Sequence, residues 1–142
     1  MSARYALVVG RYYEDIADKL VEGATSAFAA ADATVDVFDV PGAYELPMAA
    51  KLCAETGRYD GIVALGAVIR GQTSHYDIVC EETARGLMDV QLKTGVPCGF
   101  GVLTVDTGEQ AYARVAGGDK RDSGRHAAEA VLALVRIKGE LA

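Results

Sequence analysis

The 142-residue sequence has few basic residues, few prolines and few cysteines. Lysine and arginine number 14 against 20 aspartates and glutamates, and the net charge of −6 argues against a general nucleic-acid or anionic-membrane surface. Any anionic ligand must therefore be held by local donors, against the overall field of the protein. With three prolines and 51% hydrophobic residues, the composition is that of a globular domain and excludes disordered and fibrous classes.

The cysteines and the apolar runs indicate the compartment. Cys53, Cys80 and Cys98 are odd in number and lie within apolar runs, so we predict buried free thiols, which suit a reducing compartment. No stretch approaches the ~20 apolar residues of a membrane span, and the apolar run that follows Met1–Arg4 is too short for a signal peptide. We therefore expect a soluble, cytoplasmic protein.

The sequence has no internal repeat, linker or low-complexity tract, so we expect one domain over residues 1–142. Apolar runs of strand length alternate with segments of helical period. The predicted strands are Tyr5–Val9, Thr34–Val40, Asp60–Val68 and Pro97–Val105. The predicted helices are Arg11–Ala30, Tyr44–Glu55, Asp77–Leu92, Gly108–Val115 and His126–Ile137. This order predicts an α/β fold, a three-layer α/β/α sandwich around a four-stranded parallel sheet with right-handed crossovers.

In parallel α/β sheets, ligands bind outside the carboxyl ends of the strands. This rule selects four places to look for a site, namely Gly10–Tyr13, Pro41–Glu45, Ala67–His75 and the region after Phe100. The fold class alone does not determine the reaction, so the function has to be inferred from the residues of these segments.

The most informative segment is residues 66–77, Gly-Ala-Val-Ile-Arg-Gly-Gln-Thr-Ser-His-Tyr-Asp. A buried strand ends there in a polar loop, and a helix follows. Free backbone N–H groups at a helix N-terminus attract anions, and Gly71 allows the backbone a close approach. The hydroxyls of Thr73 and Ser74 either add donors to an anion site or only cap the helix, and their spacing leaves both interpretations open.

His75, one of two histidines, lies beside this loop at a strand's carboxyl end. Histidine can give and take protons near neutral pH, so the position suits a proton carrier. The helix N-terminus would favour the neutral ring, whereas a bound phosphate would favour the cation. The alternative is an ordinary hydrogen-bonded surface histidine. His126 has no comparable setting, and we expect it to be exposed on a helix.

Two further loops carry candidate residues. Glu45 falls in the first turn after Pro41–Gly42, where a carboxylate is stabilised by the helix dipole, and it could also be no more than a helix-start signal. After the first strand, Tyr12 and Tyr13 either offer aromatic faces to a planar ligand or cover the edge of the sheet.

Together these segments resemble the lumazine synthase family over essentially the whole chain. Gly10-Arg11-Tyr12 resembles the family's first-loop motif, with tyrosine where phenylalanine or tryptophan is common, and residues 41–47 resemble its Pro-Gly-Ala-Phe-Glu-Ile-Pro motif. Residues 66–77 resemble its most specific motif, Gly-(Thr/Ala)-Val-Ile-Arg-Gly-x-Thr-x-His-(Tyr/Phe)-Asp. The order continues through Gly95-Val96-Pro97, Leu103-Thr104, Glu109-Gln110-Ala111 and Arg114.

The resemblance implies a flavodoxin-like fold and a reaction without cofactor or metal. In the family reaction, the 5-amino group of 5-amino-6-(D-ribitylamino)uracil condenses with the ketone of 3,4-dihydroxy-2-butanone 4-phosphate. Phosphate leaves, the ring closes and water is lost to give 6,7-dimethyl-8-ribityllumazine. Because the amine is already a competent nucleophile, much of the acceleration should come from holding the two reactants in register.

The resemblance also implies a role for each site residue. Tyr12 would stack on the pyrimidine of the uracil substrate, and Phe100 would help to close its pocket. The ribityl chain would be held by Ala43, Tyr44 and Glu45. The uracil edge would be bound by the backbone of Ala67, Val68 and Ile69. The residues that would hold the phosphate of the second substrate are Gln72, Thr73 and Arg114, and His75 would shuttle protons.

In the family the active site lies between neighbouring chains, with Phe100 and Arg114 belonging to opposite partners. Homopentamers are therefore implied, which in some members assemble into decamers or sixty-subunit shells, and riboflavin synthase is a candidate partner. About four residues precede the first strand, and the loop 117–124 is about one residue longer than in shell-forming members. Both features favour a pentamer over a shell.

Two positions depart from the family pattern. Asp122-Ser123-Gly124 stands where Asn/Asp-Lys-Gly is common, so the family lysine is missing or replaced by Lys120, Arg121 or Arg125. Thr107 stands where asparagine is common. One alternative is a flavin- or lumazine-binding protein on the same scaffold without turnover. A third hypothesis is a receiver-like signalling domain. Such a domain needs an acidic pocket at the strand ends, where the loop after the third strand of this chain instead has an arginine and a histidine.

Overall fold

A four-stranded parallel sheet organises the chain in the computed structural model, which describes residues 3–142. Its strands are β1 (Arg4–Gly10), β2 (Thr34–Val40), β3 (Gly61–Ile69) and β4 (Cys98–Val105), in the order β2-β1-β3-β4. All neighbouring pairs are parallel. Met1 and Ser2, which belong to the N-terminal segment discussed above, lie outside the described residues.

Helices cover both faces of the sheet. They are α1 (Glu14–Ala30), α2 (Leu46–Glu55), α3 (His75–Thr94), α4 (Gly108–Tyr112) and α5 (Ser123–Leu141), and a 3₁₀ turn at Ala43–Glu45 precedes α2. Helices α1, α4 and α5 contribute to the core on one face, and α2 and α3 to the core on the other. The predicted three-layer, flavodoxin-like α/β fold is confirmed.

The two central strands explain the long apolar runs of the sequence. In β1, Tyr5, Leu7 and Val9 face α1 and α5, whereas Ala6 and Val8 face α2 and α3. All five are buried, because a parallel strand covered on both faces has no solvent side. The edge strand β2 is only partly covered, and its Val37 and Phe38 are exposed.

The strands lie within one residue of their predicted ends, but several helix ends differ. Helix α1 begins at Glu14 and not at Arg11, because Tyr13 is extended and the Arg11 N–H continues the sheet by donating to the Val40 carbonyl. Helix α3 begins at His75, two residues before its predicted start, so the histidine lies in the first turn.

The two C-terminal helices also differ from prediction. Helix α4 ends at Tyr112 and not at Val115, and the chain then turns back, with the Gly118 N–H donating to the Val115 carbonyl. Helix α5 begins at Ser123, three residues early, because the Asp122 carboxylate caps it by accepting from the Arg125 N–H at 3.2 Å. His126 is exposed on this helix, as expected.

All three thiols are free. Cys53 and Cys98 are buried as predicted, whereas Cys80, on α3, is only partly buried. Burial raises the pKa of the Cys98 thiol to about 12. Because the thiolate is the reactive form, this side chain is a packing residue and not a nucleophile.

Two glycines of α5 give a matched test of the packing of α1 against α5. A methyl group at Gly124 would overlap the backbone carbonyl of Leu20, which cannot move aside, whereas a methyl group at Gly139 would meet open space. We expect Gly124→Ala to lower the free energy of unfolding by about 1–3 kcal/mol through overpacking. Gly139→Ala should leave it unchanged or raise it by up to about 1 kcal/mol. Urea denaturation measures both, and equal effects would contradict this account of the helix contact.

Candidate active site

A cavity of about 670 Å³ opens at the carboxyl edge of the sheet. Its volume lies in the range of small-molecule sites. The end of β3, the loops after β1, β2 and β3 and the start of α3 form its walls. The lining residues are Tyr12, Tyr13, Gly42, Ala43, Tyr44, Glu45, Ala67, Val68, Ile69, Gly71, Thr73, His75, Tyr76, Ile78 and Val79. Aromatic and aliphatic side chains predominate, with a few polar groups among them.

Nine of the twelve residues singled out from the sequence line this cavity, namely Tyr12, Ala43, Tyr44, Glu45, Ala67, Val68, Ile69, Thr73 and His75. Gln72, Phe100 and Arg114 do not. The sequence reasoning missed Ile78 and Val79. Their spacing from His75, three and four residues, puts all three on one face of α3 and was the available signal.

Tyr12 presents an open aromatic face. Its side chain is 75% exposed, so it does not cover the sheet edge, and its ring meets that of Tyr13 edge to face with centroids 4.9 Å apart. Arg11 holds this loop by ion pairs with Asp18 and with Asp39, the latter at 2.8 Å. The exposed ring is therefore set on a restrained loop.

The loops after β1 and β2 touch at two glycines. A Cβ at Gly10 would lie 2.9 Å from the carbonyl carbon of Gly42, so only glycine permits this approach. Glu45 accepts a hydrogen bond from the Gly42 N–H through Oε1 at 2.9 Å, which is the helix-start role. It also lines the cavity, and a carboxylate retains acceptor capacity after one such bond.

The loop between β3 and α3 carries Thr73 and His75 into the cavity wall. The His75 N–H donates to Thr73 Oγ1 at 3.3 Å, whereas the Ser74 side chain makes no capping hydrogen bond. The capping interpretation therefore applies to Thr73 and not to Ser74. Residues 71–75 are exposed, and the His75 N–H is already donated to Thr73.

Arg70 does not line the cavity. Its Nε donates to Asp106 Oδ1 at 2.8 Å, its Nη1 lies 3.6 Å from Asp77 Oδ1, and its guanidinium carbon lies 4.2 Å from the centroid of the Tyr76 ring. The cation of the most informative motif is thus already neutralised by two carboxylates.

Phe100 and Arg114 lie elsewhere on the chain. Phe100 pairs in register with Ala64 in the body of β4 and is 45% exposed. The fourth strand continues to Val105, so its carboxyl end, and the region after Phe100 selected from the sequence, begins at Asp106. Arg114 follows α4, where its Nη1 donates to the Gln110 carbonyl at 2.9 Å and its own carbonyl accepts from the Ser123 N–H at 2.9 Å.

The two departures from the family pattern have structural explanations. Thr107 caps α4, with its Oγ1 accepting from the Gln110 N–H at 3.2 Å, and asparagine is an equally good N-cap. Asp122 caps α5 as described above. Of the nearby cations, Arg125 lies 3.5 Å from Glu129, and none between residues 120 and 125 lines the cavity.

Residues 3–142 contain neither a candidate metal site nor a candidate membrane span. No group of three or more His, Cys, Asp and Glu side chains in this range could hold a metal ion. No helix in the same range is both long and apolar enough to cross a membrane.

Comparison with known proteins gives consistent matches. A family model described as 6,7-dimethyl-8-ribityllumazine synthase matches residues 2–139. A protein of that name from Azorhizobium caulinodans is 52% identical, over 96% of this chain and 86% of its own length. A protein of the same name from Methylobacterium radiotolerans is 51% identical, over 96% of this chain and 82% of its own length. Another, from Agrobacterium fabrum, is 47% identical, over 99% of this chain and 99% of its own length.

Proposed function

The chain belongs to the 6,7-dimethyl-8-ribityllumazine synthase family, and we propose that it performs the reaction of that name in riboflavin biosynthesis. The substrates are 5-amino-6-(D-ribitylamino)uracil and 3,4-dihydroxy-2-butanone 4-phosphate. The observation that supports this proposal most is the convergence of nine assigned residues, from three loops, the end of β3 and the start of α3, on one cavity of suitable volume.

The end of β3 suits the edge of a uracil ring. Strand β1 pairs with β3 only as far as Leu65, whereas β4 pairs with it as far as Ile69. Alternate backbone groups of Ala67–Ile69 therefore face away from β4 with no strand beside them. These N–H and C=O groups would read the uracil, Tyr12 would stack on its ring, and Ala43–Glu45 would hold the ribityl chain.

The loop between β3 and α3 suits the phosphate of the second substrate. Gln72, Thr73 and the N-terminus of α3 offer neutral donors there, and Arg114 would add the positive charge. His75 would take the proton that the attacking amine releases and return it to departing oxygen atoms. Holding the amine against the ketone would supply much of the remaining acceleration.

The decisive experiment mixes the two substrates with the purified protein. We expect lumazine absorbance to rise together with one equivalent of free phosphate. Binding of a flavin or lumazine without phosphate release would instead favour a binding protein on the same scaffold.

Replacing His75 tests the proton carrier. We expect His75→Ala to reduce turnover by ~10²-fold or less while substrate binding persists, the low end of what general acid–base groups contribute. His126→Ala, exposed on α5, is the matched control and should leave turnover unchanged. An unaltered rate in His75→Ala would remove His75 from the mechanism.

Replacing Arg114 tests the phosphate contact. A charge-assisted contact is worth ~1.5–3 kcal/mol, so Arg114→Ala should raise KM for the keto-phosphate by roughly ten- to a hundredfold and KM for the uracil far less. Steady-state kinetics with each substrate varied in turn measure the difference. Equal losses for both substrates would point to a damaged fold or interface.

We further propose that the site is completed between copies of the chain in a homopentamer. Phe100 and Arg114 lie outside the cavity that nine of the other ten assigned residues form, and the tenth, Gln72, lies between Gly71 and Thr73 of its wall. Helices α2 and α3 expose five large apolar side chains, Met48, Leu52, Ile78, Met88 and Leu92, which assembly would cover. Free thiols support a cytoplasmic location, and riboflavin synthase remains a candidate partner.

Native light scattering tests the assembly. We expect about 75 kDa, five times the 14.9 kDa of one chain, and a value near 0.9 MDa would mean a sixty-subunit shell. Co-expression of Phe100→Ala chains with Arg114→Ala chains tests the shared site. A site between the two variants is intact when the Arg114→Ala chain supplies its Phe100 and the Phe100→Ala chain supplies its Arg114. About a quarter of the sites in a random mixture should then be active. An active 15 kDa species would refute sharing.

A further inference from the structure

Arg70 stands at the point where β3 ends and the loop to α3 begins. Its backbone N–H donates to the Val105 carbonyl at 2.9 Å, which extends the pairing of β3 with β4 by one residue. The chain then leaves the sheet at Gly71 and returns to regular structure at His75. Arg70 is therefore the last residue before the loop that carries Thr73 and His75.

The Arg70 side chain reaches across this loop to its far end. Tyr76 and Asp77, which it contacts at 4.2 and 3.6 Å, belong to the first turn of α3, whereas Asp106, at 2.8 Å, directly follows β4. One guanidinium thus joins the start of the loop, the start of α3 and the end of β4. A planar group with five N–H donors can make these contacts together, and an ammonium cannot.

Little else restrains the loop. Its residues are exposed, and a Cβ at Gly71 would have no neighbour within 4 Å. Its local hydrogen bonds are those from the His75 N–H to Thr73 Oγ1 and from the Ile78 N–H to the Ser74 carbonyl. Packing therefore does not hold Thr73 at the cavity wall, and the guanidinium contacts supply the missing restraint.

A direct contact between Arg70 and an anion is disfavoured. Two carboxylates against one guanidinium leave the Arg70–Asp77–Asp106 cluster with an excess of negative charge, and Arg70 does not line the cavity. We infer that Arg70 is a positioning residue, whose guanidinium fixes Thr73 and His75 for contact with the phosphate. Only the expected change in KM for the keto-phosphate rests on the proposed function.

Asp106 separates positioning from direct binding. If Arg70 bound phosphate itself, Asp106→Asn would release it from a competing carboxylate, and phosphate would bind more tightly. If Arg70 positions the loop, the same variant weakens the shortest of its contacts, because a neutral amide oxygen accepts less strongly than a carboxylate, and phosphate binds more weakly. The two roles therefore predict shifts of opposite sign.

The test compares wild-type protein with Arg70→Lys and Asp106→Asn. Arg85→Lys is the matched control, because Arg85 also pairs with two carboxylates, Glu82 at 2.7 Å and Asp89 at 3.2 Å, and lies outside the cavity. Inorganic phosphate is titrated while NMR follows the His75 ring, and the order parameter of the Thr73 methyl group reports loop mobility. We expect Arg70→Lys and Asp106→Asn to bind phosphate several-fold more weakly and to have a more mobile Thr73, with the control unchanged.

Kinetics give a second readout. Misplacing reactive groups by about 1 Å can cost up to 10²-fold, so we expect Arg70→Lys to raise KM for the keto-phosphate by about tenfold and KM for the uracil less than twofold. Because exposed ion pairs stabilise folds little, Tm should hardly move.

Tighter phosphate binding by Asp106→Asn, or an unchanged Thr73 order parameter in Arg70→Lys, would overturn the inference. Equal increases in both KM values with a lowered Tm would do the same, since they indicate a general structural role. If the wild-type protein makes no lumazine, the proposed function fails, and the mobility of Thr73 still decides whether Arg70 positions the loop.

Discussion

The parallel pairing of β1 with β3 is the constraint on which the rest of the structure depends. Both strands are buried on both faces, so their register is fixed by packing as well as by hydrogen bonds. That register ends β1 at Gly10 while β3 continues to Ile69. The difference in length leaves a notch beside β3, and the loops after β1, β2 and β3 close around it to form the cavity.

Charge is distributed around this notch in an unexpected way. A chain with a net charge of −6 would be expected to leave its arginines free near an anion site, but Arg11 and Arg70 are each paired with two carboxylates. They restrain the loops and do not contribute a free cation to the cavity. Neutral donors therefore remain for anion binding within this cavity, and Arg114 lies outside its wall. Overall attraction of an anionic substrate is weak, and recognition has to be local.

Sequence predicted the two central strands well because a strand buried on both faces is nearly continuous in hydrophobicity. The partly exposed edge strand β2 was predicted from its β-branched residues instead. Helix starts were harder, since they depend on backbone conformation. Tyr13 is extended and delays α1, whereas the Asp122 carboxylate brings α5 forward. The cavity wall was predicted where a motif marked it. Ile78 and Val79 were missed because they resemble ordinary core residues until the direction of α3 is known.

The proposed assembly would account together for two features of the single chain, its exposed aromatic side chains and its open cavity. Tyr12 and Phe100 are aromatic side chains that remain 75% and 45% exposed, and burial of apolar surface is favourable by about 25 cal/mol per Å². A planar substrate stacked on Tyr12 would need its second face covered. A neighbouring copy that brought Phe100 over that face would bury both rings and close the site in one step. The same apolar surface would then stabilise the assembly and exclude water from the reactants, so an isolated chain would lack both.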